Sequence, residues 1–391
     1  MSAQSRTDET RRVLILSAAM GGGHMQVSHE LARRLSERGH QVTVADLLKL
    51  MPGPTGSWLR SLYPWFVTQA PWLYDAIFRF FFQGRQRAGE RAGVPVRLAL
   101  RGLRRLVREV EPHVVVSTYH LAGLAAARLR KRNELAATAV TFNTTFGVHN
   151  LWLHPCTDLY LCITREAAAE TARRTEARAV PCEPVVRPEF LQPSPPASEA
   201  RRRTDFPSDA RIALILAGAL GMGAVEAAVE AVGGVAGWLP VVVCGRNEEL
   251  RRVLEAVGTA VVKGWVDDMA TLMAAADVVL DNAAGSSAKE ALAMGVPVVT
   301  FRPIAGHGRY DARAMAQLGL TEIVEDERDL APALAAAVDP VVRRDRVRRG
   351  QALFGTDPVA VVEDLFRERQ VDRIGAQLDR GSRGEPRRPG R

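Results

Sequence analysis

The sequence predicts an α/β protein of two doubly wound, Rossmann-like domains facing each other across a cleft. Three observations predict it. Short apolar runs of strand length alternate with amphipathic helical stretches along the chain, the pattern of successive βα units. Two of these runs, VLIL at 13–16 and IALIL at 212–216, lead into glycine-rich turns, SAAMGGGH and GALGMG. The chain has 391 residues, 47% of them hydrophobic, enough for two cores of ordinary domain size.

The elements follow in order. Residues 1–12 are polar and are expected to form a disordered leader, too short and too polar for a signal peptide. Val13–Leu16 reads as a buried strand, with Gly21, Gly22, Gly23 and His24 at its carboxyl end. A helix over about 26–38 is stopped by Gly39, and Gln41–Ala45 completes a βαβ unit. A Pro/Gly turn at 52–54 opens an aromatic segment, and a basic helix is expected over about 95–109. Strands are expected at 113–117, 139–142 and 159–163, then a helix of alanine, glutamate and arginine. The N-terminal domain is thus drawn over 13–190. Residues 181–210 are rich in Pro, Ser and Arg, and the interdomain linker is placed at 191–210. The C-terminal domain is drawn over 211–355, with strands at 212–216, 241–243, 260–262, 278–280 and 297–301 and a helix over 287–294. An amphipathic terminal helix at 356–370 and a disordered basic tail at 371–391 end the chain.

The bulk numbers exclude several classes. The net charge of +8 comes mostly from arginine, concentrated over 79–108 and 380–391, and suits anionic lipid or phosphorylated substrates. No zinc-finger spacing, helix-turn-helix or RNA-binding signature is present, so nucleic acid is not expected as a partner. The four cysteines form no CxxC pair, which fits a reducing cytoplasm. No run reaches the 18–20 apolar residues of a membrane span, so any membrane is met from the side.

The sharpest chemical signal is DNAAGSSAKEALAMGVPVV, beginning at Asp281. Small residues from Ala283 to Ser287 lie between a strand and a helix, where exposed backbone N–H groups suit a diphosphate. Glu290 is expected in the first helical turn, within reach of a ribose diol. The plainer reading is a strand-turn-helix in which Glu290 complements the helix dipole. Gly245-Arg246-Asn247, Lys263-Gly264-Trp265-Val266 and His307-Gly308-Arg309 follow other strands. Loops at carboxyl strand ends share one edge of a parallel sheet, where ligands bind. No Asp-x-Asp triplet is present, so no metal is expected. Arg246 and helix N-termini are candidates to offset leaving-group charge instead, with surface solvation the alternative for Arg246.

These stretches, together with VHNLWLHPCTD, PVVRPEF, CGRN and RPIAGHGRYDARA, resemble the glycosyltransferase group that holds the monogalactosyldiacylglycerol synthases, the processive diacylglycerol glucosyltransferases and the peptidoglycan N-acetylglucosaminyltransferase, of the family 28 type. The likeness runs from about Val13 to Arg369. It implies a GT-B fold and an inverting reaction on a UDP-sugar, which is substrate rather than cofactor. It implies that Glu290 holds the ribose and that Trp265, Val266 and Met269 frame the uracil. Gly218 to Gly221, Ala219 among them, would line the phosphates with Ala284, Gly285 and Ser286, and by their residue type Ser286 and Ser287 can add hydroxyl donors. His307, Gly308 and Asp311 would face the donor sugar. The chain departs from the group at Ala284-Gly285, often Gly-Gly; at His307-Gly308, often Gln-Glu or Gln-Gln; and at Thr144-Thr145, where the group has Thr-Asp. The last departure removes a carboxylate from the acid/base machinery.

In the N-terminal half, Gly22 and Gly23 let an acceptor approach the backbone closely. An inverting transfer needs a base for the acceptor hydroxyl proton, and His24 is the first candidate, with His149 second. A capping or structural role competes for His24, and packing beside Trp152 competes for His149 and His154. Trp58, Tyr63, Trp65, Phe66, Trp72, Tyr74, Phe78 and Phe80–Phe82 crowd one segment, followed by Arg79, Arg85, Arg87 and Arg91. The whole basic and aromatic stretch over 58–108 suits an interface on anionic lipid, or else a core or dimer contact. The expected function is a metal-independent hexosyltransferase acting from a UDP-sugar on a lipid hydroxyl, diacylglycerol or a related glycerolipid, on the inner face of a membrane. A non-lipid acceptor, a sugar-nucleotide 2-epimerase and a non-catalytic UDP-sugar binder are the alternatives.

Overall fold

The computed structural model describes residues 10–20, 22–83 and 93–368. The leader to residue 9, Gly21, Arg85, Arg87, Arg91 and the tail from 369 lie outside the described residues.

Six strands form the first sheet: β1 (Arg12–Ser17), β2 (Gln41–Asp46), β3 (Val114–Ser117), β4 (Thr138–Asn143), β5 (Leu159–Cys162) and β6 (Arg178–Pro181), in the order β2-β1-β3-β4-β5-β6. Six more form the second: β7 (Arg211–Leu216), β8 (Trp238–Val243), β9 (Val261–Lys263), β10 (Val278–Asp281), β11 (Val298–Phe301) and β12 (Thr321–Val324), in the order β12-β11-β10-β7-β8-β9. All pairings are parallel. Helices cover both faces, so the central strands carry uninterrupted apolar runs; Val13–Leu16 and Ile212–Leu214 are buried completely. These are the two Rossmann-like domains of a GT-B fold. The strand order reverses between β1 and β3 in one sheet and between β7 and β10 in the other. Crevices at such points, outside the carboxyl strand ends, are where ligands bind.

Four expectations change. The first strand begins at Arg12, inside the expected leader. The edge strands β6 and β12 were not expected, because RAVP and TEIV are only four residues long, the first ending in a proline and the second half polar. The expected linker contains a helix, Ala197–Thr204. Its arginines supply the polar composition, yet they are good helix formers, and the apolar minority of Ala200 and Phe206 is buried. Arg201 ties this helix to the second domain through Asp277, at 2.6 Å.

Helix α1 (Gly23–Glu37) follows the first glycine turn. The aromatic segment folds as α2 (Thr55–Gln69) and α3 (Pro71–Phe78), and α4 (Gly93–Val110) follows. Helix α4 buries Val96, Ala99, Leu100 and Leu103 at helical spacing and exposes Arg97, Arg101, Arg105 and Arg108. The aromatic rings divide between core and surface: Phe78 is buried, whereas Trp58, Leu62 and Trp65, at i, i+4 and i+7 of α2, are exposed with Trp72, Phe80 and Phe81.

The terminal helix covers 358–368 and packs on the first domain rather than the second. Arg38 pairs with Asp357 and Glu363, Arg178 pairs with Glu368, and Phe366 meets the His40 ring edge-on at 5.2 Å. Where the chain returns, the Glu183 N–H donates to the Thr356 carbonyl at 2.8 Å.

Candidate active site

The loops at the two reversal points face each other across a cleft of about 870 Å³. Its C-terminal wall brings together Gly218, Ala219, Arg246, Trp265, Val266, Met269, Ala284, Gly285, Ser286, Ser287, Glu290, His307 and Asp311. Gly22, Gly23 and His24 form part of the opposite wall. Three expected residues do not line it. Gly221 is turned against Asn247, Gly308 packs on Ile304, and His149 lies behind the wall.

The C-terminal wall is built on strand-turn-helix chemistry. The helix Ser286–Ala293 begins directly after the small residues, leaving its first N–H groups without intrahelical partners. Ala284 holds a left-handed φ of +51°, strained for a residue with a Cβ. Asp281 accepts hydrogen bonds from the Ala283 and Ala284 N–H groups, and Lys289 Nζ donates to the Ala284 carbonyl at 3.2 Å. The loop is therefore held in shape by a buried carboxylate below and a buried ammonium beside it. Lys289 also lies 5.2 Å over the Phe146 ring of the first domain. Beyond the loop, the Arg246 guanidinium stacks over Trp265 at 4.6 Å, so this arginine is not simply solvated. The Trp265 indole N–H donates to Asp267 at 3.0 Å.

Glu290 lies in the second turn of its helix, not the first, because the helix begins at Ser286. Complementing the helix N-terminus therefore does not account for it, since that effect fades after one turn. Its carboxylate is buried in the cleft wall, accepts from Gln26 Nε2 at 2.6 Å and lies 3.6 Å from Arg187 Nε. Burial pushes its pKa up to about 7 against the pull of Gln26 and Arg187.

On the N-terminal wall, Gly23 packs so closely that a Cβ there would stand 2.8 Å from Ser286 Oγ, so the backbone of one domain meets a side chain of the other at this point. His24 Nδ1 is 2.9 Å from the Thr118 carbonyl. A carbonyl only accepts, so Nδ1 carries the proton and the Nε2 lone pair is left for another partner. Burial lowers the His24 pKa to about 4, opposed by the Thr118 hydrogen bond and assisted by the charge of Lys289. The ring is neutral at pH 7.

His149 stacks on Trp152 at 5.6 Å, with Phe82 at 4.8 Å and His120 at 5.3 Å. Burial lowers its pKa to about 3. It is a packed ring beneath the wall rather than a second base in the cleft, which corrects that expectation. His154 accepts the Cys156 N–H at 3.0 Å, a local structural bond. Thr145 takes a structural place as well: its hydroxyl accepts the Trp152 indole N–H at 3.0 Å and reaches Asn143 Oδ1 at 2.6 Å. A carboxylate does reach this region from across the cleft. Asp311 is buried and accepts the Gly147 N–H at 2.9 Å, and burial raises its pKa to about 7.

Sequence reasoning missed Gln26, Lys289, Arg187 and Tyr63, all of which line the cleft. A lone lysine in a run of small and apolar residues was the available signal for Lys289. Gln26 follows the glycine turn on the exposed start of a helix. Nothing local marks Tyr63.

The sequence model of the monogalactosyldiacylglycerol (MGDG) synthase family matches residues 24–178. A processive diacylglycerol beta-glucosyltransferase of Bacillus cereus (strain 03BB102) is 23% identical over 379 residues, spanning 92% of this chain and 95% of that protein. The crystal structure of Acinetobacter baumannii MurG superposes with a TM-score of 0.60 at 16% identity, covering 92% of this chain and 99% of that one. A spinosyn rhamnosyltransferase, SpnG, solved with thymidine diphosphate, gives 0.61 at 17% identity over 90% and 99%. The resemblance read from the motifs is thereby borne out, and the chain is a glycosyltransferase.

Proposed function

We propose that this glycosyltransferase moves a hexose from a UDP-sugar, with inversion and without a metal, to the hydroxyl of diacylglycerol or a related glycerolipid at a membrane surface. One observation carries the reading: His24 and Glu290 line the same cleft from opposite domains. In this reading Glu290 grips the ribose and the start of the helix Ser286–Ala293 receives the diphosphate. The acceptor hydroxyl enters beside Gly22 and Gly23, and His24 Nε2 takes its proton as the oxygen attacks the anomeric carbon and the bond to UDP breaks. A dianionic diphosphate bound nearby raises the basicity of His24. Lys289 and the helix N–H groups offset the charge that gathers on the leaving diphosphate.

The lipid acceptor is supported by the exposed Trp58, Leu62, Trp65 and Trp72 and by the outward arginines of α4. Apolar rings beside arginines suit the headgroup region of an anionic leaflet. No described helix is long and apolar enough to cross a membrane, and the contact is with one surface, the inner face. The test is to incubate pure protein with UDP-glucose, UDP-galactose or UDP-N-acetylglucosamine and diacylglycerol-containing phosphatidylglycerol vesicles, followed by mass spectrometry of the lipids. A new hexosyl glycerolipid is expected. Transfer to a soluble aglycone with none to lipid removes the lipid assignment.

A further inference from the structure

The donor-sugar end of the cleft is completed from the opposite domain. Tyr74 on α3 places its hydroxyl 3.0 Å from His307 Nδ1, and Tyr63 on α2 places its hydroxyl 3.3 Å from His307 Nε2. Both tyrosine rings lie 5.9 Å from the imidazole. Beside them Asp75 accepts the Gly306 N–H and pairs with Arg309, each at 2.5 Å. A Cβ at Gly306 would stand 2.6 Å from the Tyr74 ring, so glycine is required for the hairpin to seat. The loop that carries His307 is thus gripped by the same α2–α3 hairpin that exposes the tryptophans.

The hydrogen-bond inventory of this cluster has a consequence. A neutral imidazole has one donor and one acceptor, and burial keeps His307 neutral, with a pKa lowered to about 4. Both its nitrogens face tyrosine hydroxyls. Its hydrogen-bonding capacity is therefore taken, and His307 has little left for a sugar. Tyr63 differs: its hydroxyl has one proton and two lone pairs, of which His307 engages one site. Tyr63 lines the cleft, whereas Tyr74 does not. Burial raises the phenol pKa of Tyr63, so it stays protonated and serves as donor or acceptor.

We propose that Tyr63 is a specificity-determining residue for the donor hexose, its hydroxyl aimed at a sugar hydroxyl by His307, which Tyr74 holds as a positioning residue from behind. The inference rests on the UDP-sugar reading above but not on the identity of the acceptor. It makes a first-domain side chain part of the donor site, so the sugar is gripped fully only when the two domains are closed on each other.

Calorimetric titration without any acceptor tests it, using UDP and the UDP-hexose that wild type binds most tightly. Tyr63→Phe keeps the ring and removes the hydroxyl. It is expected to weaken the UDP-hexose about 10-fold, the scale of one lost hydrogen bond in a desolvated site, and to leave UDP within about 2-fold. Tyr74→Phe should give the same pattern at smaller size. In a His307→Ala background, where nothing aims the hydroxyl, Tyr63→Phe should add less than about 2-fold. Equal losses for UDP and UDP-hexose, an unchanged UDP-hexose affinity, or full additivity with His307→Ala each overturn the proposal while the UDP-sugar reading stands. If wild type binds neither UDP nor any UDP-hexose, both fall together.

Discussion

The lipid-facing reading of the α2–α3 hairpin predicts what replacing Trp58, Trp65 and Trp72 together with alanine will do. Their fractional exposures are 63%, 51% and 73%. With a surface of roughly 250 Å² per tryptophan, the three rings offer on the order of 450 Å² to their surroundings. If half of that area enters lipid, about 25 cal/mol per Å² corresponds to about 6 kcal/mol. Part of the gain is opposed by ordering of the rings and by the alanine methyls that remain, so a loss of about 3 kcal/mol is the conservative expectation, or at least about 100-fold in partitioning. Because the rings are exposed, the fold is not expected to lose stability. The assay is co-sedimentation with phosphatidylglycerol vesicles, run beside UDP-sugar binding in solution. Vesicle binding should fall steeply with donor affinity unchanged. Wild-type partitioning in the triple variant would refute the argument. So would a parallel loss of donor affinity and melting temperature, which would place the rings in the core.

Three further outcomes are expected. His24→Gln should lower kcat by about 100- to 1,000-fold, the usual contribution of a general base, while UDP-sugar protection against heat unfolding persists; full activity would remove His24 as the base. Glu290→Gln should weaken UDP-sugar binding about 10- to 100-fold, the range for a hydrogen bond to a charged group. Wild-type affinity should also rise between pH 6 and 8 as the carboxylate, with its pKa near 7, ionises, and the variant should lack that rise. The share of stability contributed by the buried histidines should fall as the solution is acidified, while Glu290 and Asp311, whose folded-state pKa values are raised to about 7, act in the opposite direction: His24, His149 and His307 have folded-state pKa values lowered to between about 3 and 4. The unfolded chain takes up protons near pH 6.5 while the folded one does not, so their contribution is complete above pH 6.5 and is lost as pH falls toward 4. Urea unfolding of wild type and of His149→Phe, which keeps the ring contacts, at pH 7 and pH 5 isolates one histidine's share: between the two pH values the variant should lose less stability, or gain more, than wild type.

The parts of the molecule that were legible in the sequence are those decided locally. VLIL and IALIL are buried on both faces, so their strands announce themselves without any partner, and the glycine turns directly follow them in the chain. The donor loop was readable because strand, small residues and helix are consecutive. RAVP and TEIV were hidden because an edge strand of four residues takes its identity from its neighbour across the ladder rather than from its own composition. Ala200 and Phe206 were hidden among prolines and arginines for a similar reason, since two apolar residues suffice to dock a short helix. The histidines show the limit most clearly. His24 stood ahead of His149 only by its place after the glycine turn, and the Trp152, Phe82 and His120 rings packed around His149 are what keep it out of the cleft. Tyr63 and Trp65 stand two residues apart in one aromatic run, yet one turns toward His307 and the other toward solvent. That division depends on what lies across the domain boundary.

The bond between Glu183 and Thr356 ties together the two places where the polypeptide passes from one half of the molecule to the other. A body joined by a single strand swivels freely; one joined by two neighbouring strands behaves like a door on a short axle. The two crossings are thereby held side by side, and a swing of one half about them would part Tyr63 from His307 and Gly23 from Ser286 together.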